Sequence, residues 1–304
     1  MNLSVKIKDK ILHNPIGAAS GTFGYGEEYS HLCDLNEIGA VYTKAITLEP
    51  RAGNPTPRIV ETPSGMLNAI GLANVGVEKF IEEKLPWLKE NAKLCAIIPN
   101  VAGTSEEDYC KVVETLEEND GVWGFEINLS CPNVKHGAMQ FGTSPETVEK
   151  ITAKLRKITR KPLIIKLSPN VSDICEIAAA AEIAGADAVS CINTLVGMVI
   201  DTKNCRPFLA NKTGGLSGPA IRPVGVRAVY QVSRKVKIPV IGMGGITNAD
   251  DAIQYFLAGA KAIQIGTANF VEPQICGKIL SGVKDWMREH KIESVSQISD
   301  LMED

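Results

Sequence analysis

The sequence contains little that would indicate a nucleic-acid, membrane or secreted protein. Lys and Arg number 32 against 35 Asp and Glu, so the net charge of −3 leaves no basic excess for nucleic acid. No apolar run approaches the roughly 18 residues of a membrane span. Residues 1–10 alternate polar and apolar side chains and lack the hydrophobic core of a signal peptide. We therefore expect a cytoplasmic protein that binds neither nucleic acid nor membrane.

The eight cysteines lack the spacing of a metal or redox site. No two of them lie three positions apart, which excludes a Cys-x-x-Cys motif for zinc, an iron–sulfur cluster or a dithiol. Cys95 and Cys191 lie in apolar runs and are expected to be small core residues. A Gly-x-Gly-x-x-Gly dinucleotide loop is also missing. The sequence thus predicts neither a metal nor a nicotinamide site on this chain.

Short apolar runs recur along the 304 residues without a Pro/Ser-rich linker, which favours one domain over residues 1–304. They are apolar throughout rather than alternating, as is typical of parallel strands buried on both faces. The predicted strands are Ile16–Ala19, Ala40–Ala45, Cys95–Val101, Phe125–Leu129, Leu163–Leu167, Ala188–Asn193, Val240–Met243 and Ala262–Ile265.

Amphipathic segments separate these runs and predict helices. Asn248 is a candidate N-cap, and Gly185 and Gly259 follow helices where a C′ glycine belongs. Eight strand–helix units fit a closed (β/α)8 TIM barrel, an α/β fold, more simply than a doubly wound sheet. The predicted helices are Glu28–Ile38, Val77–Asn91, Glu106–Glu118, Pro145–Thr159, Ile174–Ala184, Val224–Val236 and Ala249–Ala258.

Three segments exceed a minimal barrel. Leu3–Leu12 predicts an N-terminal hairpin that closes the amino-terminal end of the barrel. Thr47–Gly76 and Leu195–Arg222 are long insertions after the second and sixth strands, which places them on the C-terminal face, where barrel active sites are built. We expect them to be irregular functional loops.

Glycine-rich loops follow the last two strands. Gly242–Gly245 and Gly266–Thr267 allow backbone N–H groups to approach an anion closely, and barrels commonly bind phosphate at these two loops. Tight turns alone would also explain the glycines, but two such loops at the expected strands favour a phosphate site. Gly218 lies in a third glycine-rich segment, 214–218, that could contact the same ligand.

Polar residues at other strand ends indicate a reaction site. Cys131 stands where the strand carrying Asn128 exits before Pro132, which cannot continue a central strand. A buried lysine is costly unless it meets an anion or a lone pair, so Lys44 and Lys166 should converge on an electron-rich ligand. One such lysine could reach solvent along the surface; two, together with several strand-end amides, favour a site.

These motifs resemble class 1 dihydroorotate dehydrogenases, over about Ile16 to Phe270. That family is an FMN-containing (β/α)8 barrel that oxidises dihydroorotate to orotate in de novo pyrimidine (UMP) biosynthesis. The Asn-x-Ser-Cys-Pro-Asn run is shared with dihydropyrimidine dehydrogenases. The matching segments are Ala19–Gly21, Thr43–Lys44, Asn68–Leu72, Asn128–Asn133, Ile165–Asn170, Asn193–Thr194 and Gly242–Gly245.

The resemblance implies a role for each matching residue, with Cys131 as the catalytic base, where class 2 relatives use serine. Implied substrate-binding residues are Lys44, Asn68, Ala69, Ile70, Gly71, Leu72, Asn128, Asn133, Asn193 and Thr194. Implied FMN-binding residues are Ser20, Gly21, Lys44, Ala45, Asn100, Asn128, Lys166, Ile192, Gly218, Gly244, Gly245, Gly266 and Thr267. Val134–Gly142 is expected to act as a lid, in which His136 is more simply a solvated residue than a proton shuttle.

The resemblance also bears on the electron acceptor. Lys135-His136-Gly137 departs from the Pro-Gly-Lys that typically follows Cys-Pro-Asn-Val in the fumarate-linked type (class 1A), which favours the NAD-linked type (class 1B). In that type, a partner subunit carries FAD and a [2Fe–2S] cluster, in a heterotetramer of two of each subunit. Alternatives are the fumarate-linked type, a dihydropyrimidine dehydrogenase-like subunit, and a phosphate-binding barrel without catalysis.

Overall fold

The apolar runs form strands, most of them in one ring. The computed structural model describes residues 1–129 and 141–303. The strands are β1 (Val5–Ile7), β2 (Lys10–Leu12), β3 (Ile16–Ala18), β4 (Ala40–Tyr42), β5 (Ile59–Thr62), β6 (Gly65–Asn68), β7 (Ala96–Ile98), β8 (Asn100–Val101), β9 (Phe125–Asn128), β10 (Leu163–Lys166), β11 (Ala188–Cys191), β12 (Leu195–Met198), β13 (Ile200–Asp201), β14 (Arg206–Pro207), β15 (Thr213–Ser217), β16 (Val240–Met243) and β17 (Ala262–Ile265).

The parallel sheet closes on itself through a divided strand. Its order is β7-β4-β3-β17-β16-β11-β10-β9-β8, and all of its strand pairs are parallel. β7 and β8 are consecutive halves of one segment, interrupted at Pro99, which has no N–H to donate. Because β4 pairs with the first half and β9 with the second, the ring is complete. The prediction of a (β/α)8 barrel is confirmed.

Helices surround the barrel. They are α1 (Val77–Lys79), α2 (Leu85–Asn91), α3 (Glu106–Glu117), α4 (Pro145–Ile158), α5 (Ile174–Ile183), α6 (Arg222–Lys235), α7 (Ala249–Leu257), α8 (Ala268–Val271) and α9 (Ile275–Glu289). A π-helical turn, Phe80–Lys84, joins α1 to α2. Asn248 caps α7 by accepting a hydrogen bond from the Asp251 N–H, as predicted. Gly185 and Gly259 have φ of +96° and +109° where their helices end, as a C′ glycine should.

The predicted helix Glu28–Ile38 is wrong. Two 3-10 turns, Glu27–Tyr29 and Leu35–Glu37, take its place. The Asp34 side chain accepts a hydrogen bond from the Asn36 N–H and starts a new turn, which interrupts any continuous helix. The amphipathic pattern of residues 28–38 therefore belongs to two separate 3-10 turns rather than to one helix.

The N-terminal hairpin is present as predicted. β1 and β2 pair antiparallel, with Lys6 opposite Ile11. Lys10 Nζ donates to the Trp123 carbonyl at 2.8 Å, and Lys8 Nζ donates to the Arg160 carbonyl at 2.5 Å. Both carbonyls belong to segments that lead into β9 and β10, so the hairpin covers the amino-terminal end of the barrel.

The two insertions are not irregular loops, in contrast to the prediction. They pair with each other in a four-stranded antiparallel sheet of order β12-β15-β6-β5, and we call this unit the rim sheet. Leu67 of the first insertion lies opposite Leu216 of the second. Leu67, Ala69 and Leu209 form a small buried cluster beneath it. The C-terminal face of the barrel is thus covered by a structured element.

None of the helices in residues 1–129 and 141–303 combines the length and the apolar character that crossing a bilayer requires.

The rim sheet should be sensitive to added volume where its two insertions meet. A Cβ on Gly65 would overlap the Ser217 carbonyl oxygen on the paired strand, and backbone cannot move aside cheaply. We expect Gly65→Ala to lower the free energy of unfolding by about 1–3 kcal/mol, measured by urea denaturation.

Gly197→Ala is the matched control, because a Cβ there would lie 3.2 Å from Leu67 Cδ2, the flexible end of a side chain. Its effect should stay below about 1 kcal/mol. Equal losses for the two variants would contradict the close packing of the insertions at Gly65.

Candidate active site

A cavity of about 840 Å³ opens at the carboxyl ends of the barrel strands, between the barrel and the rim sheet. This volume lies within the 300–1,000 Å³ that is typical of small-molecule and cofactor sites. The predicted residues that line it are Ser20, Gly21, Lys44, Ala45, Asn68, Ile70, Gly71, Leu72, Asn100, Asn128, Lys166, Ile192, Asn193, Thr194, Gly218, Gly244, Gly245, Gly266 and Thr267.

Ala69 is predicted in the same set, but its side chain does not line the cavity. It is 1% exposed and packs with Leu67 and Leu209 on the other face of its segment. Successive side chains of an extended chain point to opposite faces, so Asn68 and Ile70 reach the cavity while Ala69 turns away.

Cys131 and Asn133, together with His136 and most of the predicted lid, lie outside the described residues. The residues on either side of this segment are described. The Gly142 N–H donates to the Leu129 carbonyl at 2.9 Å, so these two residues meet just beyond the carboxyl end of β9. Asn128, which lines the cavity, is the neighbour of Leu129.

The glycine loops leave room for an anion. Gly245 has φ of +70°, and a Cβ there would approach the Gly218 carbonyl at 2.7 Å. The Tyr255 hydroxyl donates to the Gly244 carbonyl at 2.6 Å and holds this loop against α7. A Cβ on Gly21 would meet nothing within 4 Å, and one on Gly266 nothing closer than 3.7 Å, so a ligand can approach both backbones closely. The loops therefore have the form of a phosphate site.

A buried carboxylate lies behind the cavity wall. Glu126 is 0% exposed, and its oxygens accept hydrogen bonds from Asn100 Nδ2 at 2.6 Å, Gln264 Nε2 at 2.6 Å and Ser190 Oγ at 2.9 Å. Lys166 Nζ is 3.6 Å from Glu126 Oε2. We call these five residues the interior cluster. Glu126, Ser190 and Gln264 were not among the site residues predicted from the sequence, although each is a polar residue within a mainly apolar strand.

Near this carboxylate, the Tyr42 hydroxyl lies beside the Gln264 amide, and Asn100 Oδ1 is buried without a hydrogen-bond partner in the described protein. Asn100 and Gln264 both line the cavity. Burial raises the pKa of Tyr42 well above its usual value, so this hydroxyl remains neutral. Asn100 and Gln264 are both 0% exposed, so their amide atoms belong to the packed wall behind the cavity surface.

Amide side chains form a second polar group at the ends of β9 and β11. Asn193 Nδ2 donates to Asn128 Oδ1 at 3.4 Å, and the Tyr109 hydroxyl donates to the Asn128 carbonyl at 2.8 Å. Asn170 Nδ2 donates to the Thr194 carbonyl at 2.9 Å. Amides offer both donors and acceptors, which suits a planar ring with carbonyl and N–H edges.

Three of the described thiols, those of Cys95, Cys191 and Cys276, are buried. Burial raises the pKa of Cys276 to about 12 and raises the pKa of Cys95 and of Cys191 further. Cys205, in contrast, is exposed. Across residues 1–129 and 141–303, no group of three or more His, Cys, Asp or Glu side chains is arranged to hold a metal ion.

The sequence matches the family described as "Dihydroorotate dehydrogenase" over residues 2–287. The catalytic subunit of dihydroorotate dehydrogenase B (NAD(+)) from Pelobacter propionicus is 52% identical over 302 residues, which cover 99% of this chain and 99% of the relative. The corresponding subunit from Trichlorobacter lovleyi is 52% identical over 301 residues, or 99% and 98% of the two chains.

A solved structure has the same fold. DHODH from Eimeria tenella in complex with ferulenol superposes with a TM-score of 0.81 at 22% identity, covering 99% of this chain and 88% of that one. At this identity the similarity concerns the fold alone, and it agrees with the closed barrel.

The buried thiols should resist alkylation. A thiol whose pKa is raised stays protonated until the pH approaches the raised value, and the thiolate is the reactive form. At pH 8, iodoacetamide should modify Cys205 and leave Cys95, Cys191 and Cys276 unmodified, as read by peptide mass spectrometry. The same treatment in urea is the control and should label all eight cysteines. Modification of Cys191 in the native protein would contradict its burial.

Proposed function

The chain belongs to the dihydroorotate dehydrogenase family, and we propose that it is the catalytic subunit of an NAD-linked dihydroorotate dehydrogenase. In this role it oxidises dihydroorotate to orotate in de novo pyrimidine biosynthesis. The observation that carries the proposal is the convergence of two lysines, five amides and two glycine loops on one cavity. The names of the full-length relatives favour the NAD-linked enzyme over the fumarate-linked type, a dihydropyrimidine dehydrogenase-like subunit or a scaffold.

The cavity fits FMN. Gly218, Gly244, Gly245, Gly266 and Thr267 would hold the phosphate. The ring would lie among Ser20, Gly21, Lys44, Ala45, Asn100, Asn128, Lys166 and Ile192. The open space at Gly21 and Gly266 supports this placement. When bound, FMN supplies the acceptor for a hydride. Lys166 adds a positive charge near the ring, which would favour its reduced anion.

Dihydroorotate would bind beside FMN. Lys44, Asn68, Asn128, Asn193 and Thr194 would contact its ring and carboxylate, with Asn133 and the segment Ile70–Leu72 completing the site. The substrate has alternating carbonyl and N–H edges, which paired amide groups can match. The positions of the described members around one cavity support this assignment.

Cys131 would act as the base. Conversion of dihydroorotate to orotate removes a proton from C5, which this thiolate would accept, and a hydride from C6, for which bound FMN would supply the acceptor. A thiolate is available close to neutral pH because a free cysteine has a pKa of about 8.5, which nearby cations lower. Asn128, which precedes Cys131 by three residues in the sequence, lines the cavity, and this supports the assignment.

The electrons would leave through a partner. A protein named as a catalytic subunit has a separate partner, and we propose that it carries FAD and a [2Fe–2S] cluster in a heterotetramer of two of each subunit. This sequence has neither the cysteine spacing of an iron–sulfur cluster nor a dinucleotide loop. Both observations support placing the FAD and the cluster on the partner. A cytoplasmic location remains the prediction made from the sequence.

Cys131→Ser tests the base. The small change in volume should preserve the fold and FMN binding. A serine hydroxyl is much harder to deprotonate, so flavin reduction by dihydroorotate at pH 7 should slow by about 10²–10⁴-fold and recover partly at high pH. Stopped-flow flavin absorbance measures this step.

Cys205→Ser is the control, because it removes an exposed thiol elsewhere on the chain and should react like the wild type. Wild-type rates for Cys131→Ser at pH 7 would remove Cys131 from the role of base. A wild-type chain that binds FMN but is not reduced by dihydroorotate would overturn the substrate assignment.

The route of electron exit gives a second test. The isolated chain should reduce its FMN with dihydroorotate in a single turnover, yet hardly reduce NAD in steady state. Adding the partner should restore NAD reduction, measured at 340 nm, for the wild-type chain and not for Cys131→Ser. Rapid NAD reduction without a partner would refute the proposal that a partner subunit passes the electrons to NAD. Efficient fumarate reduction would assign the chain to the fumarate-linked type.

A further inference from the structure

An ion pair that the proposed reaction does not use lies behind the glycine loop after β16. Arg222, the first residue of α6, pairs with Asp251, which lies in the first turn of α7. The Asp251 side chain is 3% exposed, the Arg222 side chain is 32% exposed, and neither residue lines the cavity. Burying a carboxylate is costly unless its charge is compensated, and Arg222 supplies a compensating charge.

The Asp251 carboxylate anchors one end of the loop. Its Oδ2 accepts a hydrogen bond from the Thr247 N–H at 2.9 Å and from the Thr247 hydroxyl at 2.7 Å. Thr247 lines the cavity. The Tyr255 hydroxyl holds the other end of the loop at the Gly244 carbonyl. We call residues 244–247 the phosphate loop, because the proposed function places the FMN phosphate against Gly244 and Gly245.

Arg222 contacts the phosphate loop directly. A Cβ on Gly245 would lie 2.8 Å from Arg222 Cβ and 3.0 Å from Arg222 N, so the two residues pack together. Gly218, which is also proposed to hold the phosphate, is joined to the start of α6 by a hydrogen bond from the Ile221 N–H to its carbonyl at 3.1 Å. The ion pair is therefore adjacent to two of the three segments that would hold the phosphate.

The charges around the cavity give this ion pair its importance. Among the described residues that line the cavity, the charged side chains are Lys44, Glu61 and Lys166. The proposed function assigns both lysines to the ring and the substrate. A carboxylate behind the phosphate loop would repel a phosphate, because charges interact more strongly within a protein than in bulk water. Arg222 offsets the charge of that carboxylate.

We propose that Arg222 determines the preference of this site for a phosphorylated flavin by neutralising Asp251. The carboxylate can then anchor the phosphate loop through Thr247 without repelling the phosphate of FMN. Arg222 acts through Asp251 and is therefore a positioning residue rather than a ligand of the phosphate. The proposal rests on the proposed FMN function and specifies how the site would distinguish FMN from riboflavin, which has the same ring and no phosphate.

Arg222→Gln tests the proposal. The new amide can still donate to Asp251, but the positive charge is lost. We expect the affinity of the apoprotein for FMN to fall about tenfold, and its affinity for riboflavin to change less than about twofold, because only FMN carries the charge that Asp251 repels. Quenching of flavin fluorescence in a titration measures both affinities, and their ratio is the readout.

Asp251→Asn should act in the opposite direction, which keeps the test decisive if Arg222→Gln does not fold. The asparagine Oδ1 can still accept a hydrogen bond from Thr247, while the charge of Arg222 is left uncompensated, so the ratio should stay at or above the wild-type value. The double variant should return to the wild-type ratio. Equal falls in the two single variants would show that the pair only supports the loop, and a low ratio in the double variant would show that Arg222 acts on the phosphate itself. Either result would overturn the proposal.

Arg156→Gln is the matched control at the amino-terminal end of the barrel. Arg156 Nη1 is 2.6 Å from Asp187 Oδ2, which also accepts the Leu163 N–H at 2.9 Å, so this pair has the same form as the pair of Arg222 and Asp251. The variant should keep the wild-type ratio. An unchanged ratio in Arg222→Gln would overturn the proposal while leaving the FMN function intact, whereas failure of the wild type to bind FMN would refute the function itself.

Discussion

Closure of the parallel sheet is the constraint on which the candidate site depends. All barrel strands run in one direction, so their carboxyl ends meet at one rim, and polar residues far apart in sequence share one cavity. Closure passes through the divided strand at Pro99. The Pro99 carbonyl still accepts the Glu126 N–H at 3.0 Å, which keeps β8 and β9 in register with Asn100 opposite Glu126. The contact between amide and carboxylate follows from that register.

The barrel interior below the rim is unusually polar. Branched aliphatic side chains normally fill this layer, because an apolar core needs no partners. Here Glu126, Ser190, Gln264, Asn100 and Lys166 share it, all buried. Their mutual hydrogen bonds and the ion pair between Glu126 and Lys166 offset part of the cost of desolvation. Asn100, Lys166 and Gln264 belong both to this cluster and to the wall of the cavity.

The barrel strands were predictable because each is a short and mainly apolar run, and their observed bounds differ by at most three residues. The rim sheet was not predictable, because its pairing joins residues 65–68 to 213–217. In addition, its edge strand Ile59–Thr62 is only partly buried, which weakens its apolar pattern. The sequence pattern alone cannot reveal a partner about 150 residues away. α9 was also not predicted, although it packs against the barrel strand β3.

The site residues were predictable to different degrees, for physical reasons. Glycine loops and strand-end lysines are visible in the sequence because they conflict with a barrel core. Glu126 conflicts with it equally, but its partners come from four other strands and emerge only in three dimensions. Ala69 was included through its neighbours in a motif, and strand alternation turns it away from the cavity.

The pairing of the two insertions bears on how this scaffold can diverge. Because β6 and β15 are held residue against residue, a one-residue insertion or deletion in either strand would move every following side chain to the opposite face. A loop transplanted from another barrel enzyme into one insertion alone would therefore lose its partner strand. Transfer of the rim sheet between barrel enzymes would therefore require that both insertions be exchanged together.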